Sequence, residues 1–153
     1  MRALLKSLNY SKISVPAFIV NRDNTDQTNI TGTDKVEWTN KVLDTTNDFD
    51  AITNYRFTPS VQGIYLFSFS TRWLSASVTV SDVVHYGIYK NGTLLQENYR
   101  VLPTVTDTLQ TVTTISQANG TTDYFEIFST NDNRDTGGLD GNSEFTFWIG
   151  CKI

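Results

Sequence analysis

The chain predicts an all-β domain, an antiparallel β-sandwich or jelly roll of about eight to ten short strands. Three observations carry that prediction. Tyr65, Phe67 and Phe69 alternate with Leu66, Ser68 and Ser70, and Trp73 keeps their phase; this is the period of a strand with one buried face. Asn91-Gly92 stands between two strand-like runs, and both residues accept the positive φ that a type I′ hairpin turn requires. The chain is 39% hydrophobic and 12% aromatic but only 18% charged. Its bias toward Thr, Val, Ile, Tyr and Phe suits a pleated, half-buried surface and excludes disorder by composition.

The elements follow in order along the sequence. Val15 to Val20 reads as a first strand, with Pro16 at its start or on an edge. Asn21 to Thr33 lacks any apolar period and reads as a polar loop. Lys35 to Trp38 and Lys41 to Leu43 are short extended pieces, followed by a turn over Asp44 to Asp48. Thr58 precedes Pro59, which drives it out of helical geometry, and Gly63 to Trp73 is the strongest strand. Between Ser75 and Tyr89, Val78, Val80, Val83, Val84, Tyr86 and Ile88 form two strands broken at Ser81-Asp82. Thr104 to Ser116 alternates through Val105, Leu109, Val112 and Ile115. A turn over Ala118 to Thr121 leads to a strand from Tyr124 to Ser129. Thr130 to Asn142 is a long Asn/Asp/Gly loop, where turns need such residues, and Glu144 to Ile153 is the closing strand.

No repeat or linker divides the chain, so residues 15–153 form one domain, large enough to bury its core without staples. Residues 1–14 form an N-terminal arm. It lacks the apolar region and cleavage site of a secretory signal, yet Leu4, Leu5, Leu8 and Tyr10 make it apolar enough to dock on a partner as an anchor. The net charge of −4 opposes nucleic-acid and anionic-membrane partners, and no apolar run reaches the length of a membrane span.

The residues offer little catalytic chemistry. His85 is the only histidine and Cys151 the only cysteine, so no intrachain disulfide forms. His85 reads as a half-buried strand residue with a local hydrogen bond, and nothing marks Cys151 as an activated thiol. No nucleophile elbow, phosphate loop or dinucleotide motif is present; no enzyme activity and no cofactor is expected. The one metal candidate is the loop after Thr130, where Asp132, Asp135 and Asp140 supply the hard oxygen donors calcium prefers. Its spacing departs from the EF-hand pattern, and a solvated turn loop is the simpler reading.

The aromatic strands also assign faces. Tyr65, Phe67, Phe69, Phe145 and Phe147, with Ile149, are expected in the core. Ile64, Leu66 and Trp148 then occupy the opposite face, where a solvated antiparallel strand would carry polar residues. That second face is expected to be covered.

The run Phe49-Asp50 followed by Phe57-Thr58-Pro59-Ser60-Val61-Gln62-Gly63-Ile64-Tyr65-Leu66-Phe67-Ser68-Phe69 resembles the signature of the globular complement-one-q domain. Pro16-Ala17-Phe18 is similar to that family's opening strand, Ile88-Tyr89-Lys90-Asn91-Gly92 to its Lys-Asn-Gly hairpin, and Asn142-Ser143-Glu144-Phe145-Thr146 to the start of its last strand. The family's Gly-Asp step before the penultimate strand is replaced here by Asn119 to Asp123, and no collagen-like Gly-x-y repeat appears. The resemblance implies the jelly roll of about ten strands shared with tumour necrosis factor. It implies a homotrimer, with neighbouring subunits covering the Ile64, Leu66 and Trp148 face. Such heads also occur in bacteriophage virions. The expectation is therefore a non-enzymatic virion protein, made in the host cytoplasm: a trimeric head of a fibre, spike or capsid decoration. It would attach to another virion protein through residues 1–14 and contribute to host attachment at a surface receptor or glycan. The alternative is a free-standing lectin-like or cytokine-like module recognising a receptor or carbohydrate.

Overall fold

The computed structural model describes residues 15–74, 81–102, 108–132 and 137–153. The arm with Leu4, Leu5, Leu8 and Tyr10, as well as Val78, Val80, Val105 and Asp135, lies outside these residues. Thirteen strands are found among them, arranged as two packed antiparallel sheets, and no helix.

The first sheet contains β1 (Ala17–Asn21), β2 (Gln27–Ile30), β4 (Asn40–Asp44), β7 (Gly63–Trp73), β10 (Thr108–Ala118), β12 (Gly137–Leu139) and β13 (Phe147–Lys152). β7 is central, with β10 along one flank and β13 pairing with it as well. Next come β1 and then β4, so the first strand pairs with the last. The second sheet runs β5 (Phe49–Asp50), β6 (Arg56–Phe57), β11 (Phe125–Asn131), β8 (Val83–Lys90) and β9 (Thr93–Val101), with β3 (Gly32–Lys35) pairing β11. In the β8–β9 hairpin Lys90 faces Thr93, and the turn residues Asn91 and Gly92 have φ of 52° and 76°, the geometry the Asn-Gly pair is suited to adopt.

The core between the sheets has two unlike ends. At one, Phe18 contacts Phe49, Phe57, Phe67 and Trp148, with ring centroids 4.5–6.3 Å apart, and Phe125 packs on Phe67 at 4.4 Å. Offset and edge-on pairs of this kind add to the burial of large apolar area. Gly150 sits beneath this cluster, where a Cβ would run into the rings of Phe18 and Phe67. At the other end Trp73 and Tyr86 are joined by the buried polar residues Thr71, Gln110 and Ser129.

Two sequence expectations are corrected. Asn21 to Thr33 is not wholly loop, because β2 and the start of β3 lie within it. Arg22, 3% exposed, organises this stretch. Its Nε donates to the Thr25 carbonyl at 2.8 Å and Nη1 to Gln27 Oε1 at 3.0 Å, and Nη1 also reaches the Glu37 carbonyl. Gln27 in turn donates to the Lys35 carbonyl at 2.8 Å. Hydrogen bonding to a buried guanidinium holds strands whose own residues are mostly polar. Likewise, Thr130 to Asn142 contains β12, whose Leu139 is fully buried beside Trp73.

Candidate assembly and recognition surfaces

Along β7 the odd residues Tyr65, Phe67, Phe69 and Trp73 are buried, and the even residues Ile64, Leu66, Ser68 and Arg72 face outward. Strand register carries that outward face across the sheet. Leu66 is opposite Ile115 on one side and Cys151 on the other, and Cys151 is opposite Ala17. In the adjoining row Ser68 faces Ile149, Ile149 faces Ile19, and Ile19 faces Leu43. Ile64, Ile115 and Leu43 are 50%, 59% and 41% exposed. Ala17, Ile19, Leu43, Leu66, Ile149 and Cys151 surround a shallow hollow of about 200 Å³ whose lining carries no charged side chain.

The closing strand has the opposite phase to the one its sequence suggests. Trp148, expected on the outer face, is fully buried and stacks among Phe18, Trp38, Phe49 and Phe67. Phe147, expected in the core, is only half-buried. Phe145 lies before the strand, with its ring 3.9 Å from the Arg72 guanidinium carbon. Register is the cause: Trp148 pairs with Phe69 and Gly150 with Phe67, so the inward set of β13 is Trp148 and Gly150. A one-residue slip exchanges every side chain between faces.

The second sheet's outer face is different in kind. Lys35 forms an ion pair with the buried Glu126, and the Arg56 guanidinium lies 4.4 Å from the Tyr124 ring centre. His85 has Nδ1 3.3 Å from Glu97 Oε2 and Nε2 3.2 Å from Asp132 Oδ2, with the Tyr99 ring 5.5 Å away. Near the β5–β6 turn the amides of Thr53 and Ile52 and the Asn54 side chain donate to Asp50, and these bonds hold its carboxyl down at about 2. At the outer edge of this sheet β9 is exposed almost throughout, with Leu94, Leu95, Tyr99 and Val101 accessible. Asn98 of β9 donates to the Thr111 carbonyl of β10 at 2.9 Å, so the edges of the two sheets meet there.

These positions set the chemistry. Cys151 is in β13 of the first sheet and His85 in β8 of the second, both on outward faces. The sandwich therefore separates the two residues a thiol–imidazole pair would need. Asp140 is corrected from a candidate calcium ligand to an ion-pair partner: it is 6% exposed, accepts from Arg72 Nε at 2.7 Å and from the Asn142 amide at 2.7 Å. Asp132 meets His85 instead, and Asp135 is outside the described residues. Among the described residues no group of three or more His, Cys, Asp or Glu side chains could hold a metal ion.

Comparison with solved structures places this architecture. Murine APRIL superposes with a TM-score of 0.69 at 12% identity, covering 91% of this chain and 99% of that one. The fold is the jelly roll of tumour necrosis factor and complement C1q. Eiger, the tumour necrosis factor of S. frugiperda, gives a TM-score of 0.69 at 10% identity over 92% of this chain and 93% of its own. The globular domain of zebrafish complement 1qA gives 0.64 at 14% identity over 91% and 97%. No protein-family model and no curated protein matches the sequence.

Two features had no sequence signal: the buried role of Arg22, whose neighbours are all polar, and the inward phase of Trp148. Asp50 did carry one, because an Asp side chain readily accepts from backbone amides two or three residues on and so closes its own turn.

Proposed function

We propose that this chain is a non-enzymatic homotrimeric recognition module. The observation that carries the reading is the outer face of the first sheet, where outward-facing aliphatic residues extend from Leu43 on β4 across β1, β13 and β7 to Ile115 on β10, over an inner face that is already core. A contiguous apolar patch of this kind marks an interaction site. A threefold assembly requires a heterologous contact, in which one patch meets a different patch on the next copy. The exposed β9–β10 edge, with Leu94, Leu95, Val101 and Leu109 accessible, supplies the second patch. Polar loops on a rigid sandwich are the usual place for partner binding, and the likeness to APRIL and to the tumour necrosis factor Eiger supports a cytokine-like role directed at a receptor. Light scattering of the purified chain at micromolar concentration is expected to give three times the 17.2 kDa protomer mass; a stable monomer overturns the reading.

A narrower proposal places the trimer on a phage particle, as a fibre, spike or capsid head anchored through Leu4, Leu5, Leu8 and Tyr10. Its support is the Thr- and Asn-rich, disulfide-free composition and the apolar arm; the three structures named above favour the recognition module instead. Mass spectrometry of purified particles, with and without residues 1–14, decides between them: incorporation that depends on the arm supports the virion placement.

A further inference from the structure

The polar end of the core presents an accounting problem. Gln110, 5% exposed, registers opposite Thr71 on the inner face of the first sheet. Tyr86, from the facing sheet, lies over the same spot, because its ring contacts Phe69 and Trp73, the residues two before and two after Thr71, at 5.6 and 5.9 Å. Ser129, fully buried, is the register partner of Tyr86. Both the oxygen and the nitrogen of the Gln110 amide, the Tyr86 hydroxyl, the Ser129 hydroxyl and the Trp73 indole nitrogen find no hydrogen-bond partner among the described residues. Thr71 is engaged elsewhere, with Thr146 at 3.0 Å. Buried polar groups are nearly always satisfied, and burial pushes the Tyr86 phenol well above its ordinary pKa, so its proton stays available to donate. These groups come from facing strands at the same end of the core, yet no hydrogen bond joins any two of them.

We propose that this cluster of unpaired buried polar groups forms an internal hydration site, in which ordered water bridges the Gln110 amide to the Tyr86 and Ser129 hydroxyls. The amide offers a donor and an acceptor and each hydroxyl offers both. A water seated among them gains the two to four polar partners that hold buried water in place. The site belongs to the protomer and does not depend on assembly.

A high-resolution crystal structure, paired with water–protein NOEs in solution, tests it. Expected is water density within hydrogen-bond distance of the Gln110 amide and of at least one of the two hydroxyls, with NOEs persisting at the surrounding amides. A dry interior, or a direct bond from Gln110 to Tyr86 or Ser129, overturns the proposal. Gln110→Leu, which removes one wall of the site and leaves the hydroxyls stranded, is expected to lower Tm by at least about 3 °C; an unchanged or higher Tm counts against it. Should that variant not fold, the wild-type density and NOEs decide alone.

Discussion

The two outer faces of the sandwich obey opposite rules. On the second sheet several charged groups answer a neighbour: Lys35 pairs with Glu126, Arg56 lies on Tyr124, and His85 spans Glu97 and Asp132. Its accessible aliphatic residues Leu94, Leu95 and Val101 stand on the edge strand β9. On the first sheet Ile64, Leu66, Ile115, Ile149 and Leu43 form a stripe with no polar partner to make. It follows that the first sheet carries apolar side chains on both faces, and that only the inner face is covered within the protomer.

The sharpest way to break that contrast is Leu66→Asp. An unpaired carboxylate at the centre of the stripe cannot be desolvated cheaply, so the assembly is expected to fall entirely to monomer in light scattering while far-ultraviolet circular dichroism keeps its strand signature. A survival of the trimer would move the interface to another surface. A second comparison uses adjacent residues of β13 that point to opposite layers. Trp148→Ala removes a side chain packed on four aromatic rings and is expected to cost about 3–5 kcal/mol in urea unfolding. Ile149→Ala, on the outer face, is expected to change monomer stability by less than about 1 kcal/mol while weakening association; equal losses would mean that the strand phase is wrong.

The smallest effect lies in the self-satisfied region. Asp50 titrates at about 2 in the folded chain, below its ordinary value of 3.8. A depressed carboxyl contributes stability that is present above the unfolded value and is lost as pH falls from near 4 through about 2. Amide exchange at Ile52, Thr53 and Asn54 is therefore expected to accelerate over that window, with the first sheet unaffected. An Asp50 carboxyl resonance that titrates near 4 would remove the cause.

The legibility of the sequence followed the same contrast. β7 was readable because its two faces differ: aromatic residues alternate with serines, and the phase is unambiguous. β13 was not, because Phe145, Phe147 and Ile149 compete with Trp148 in the other phase, and both sets are apolar. Only pairing with Phe69 and Phe67 settles which set turns inward, and that information lies about eighty residues away. The hairpin at Asn91-Gly92 was local and therefore plain. β2, β3 and β12 were hidden because groups outside them, Arg22 for the first two and Trp73 for the third, hold them in place, rather than any periodicity of their own. The aliphatic outer face was visible as an excess of apolar residues, although Trp148 was wrongly counted in it. Asp140, a candidate ligand in a loop whose simpler reading is a solvated turn, is engaged in an ion pair by Arg72, a partner no spacing rule would select.

The pairing of β1 with β13 also has a consequence in time. The first sheet cannot close until its last strand has been made, because β13 lies between β7 and β1. During synthesis the long strand β7 therefore waits with one flank open while about eighty further residues emerge, some seconds at ribosomal rates. The β8–β9 hairpin, whose turn is local, can form on its own within microseconds. Early order in the second sheet and late closure of the first give a slow, non-local folding step, in which the final residues of the domain act as its latch.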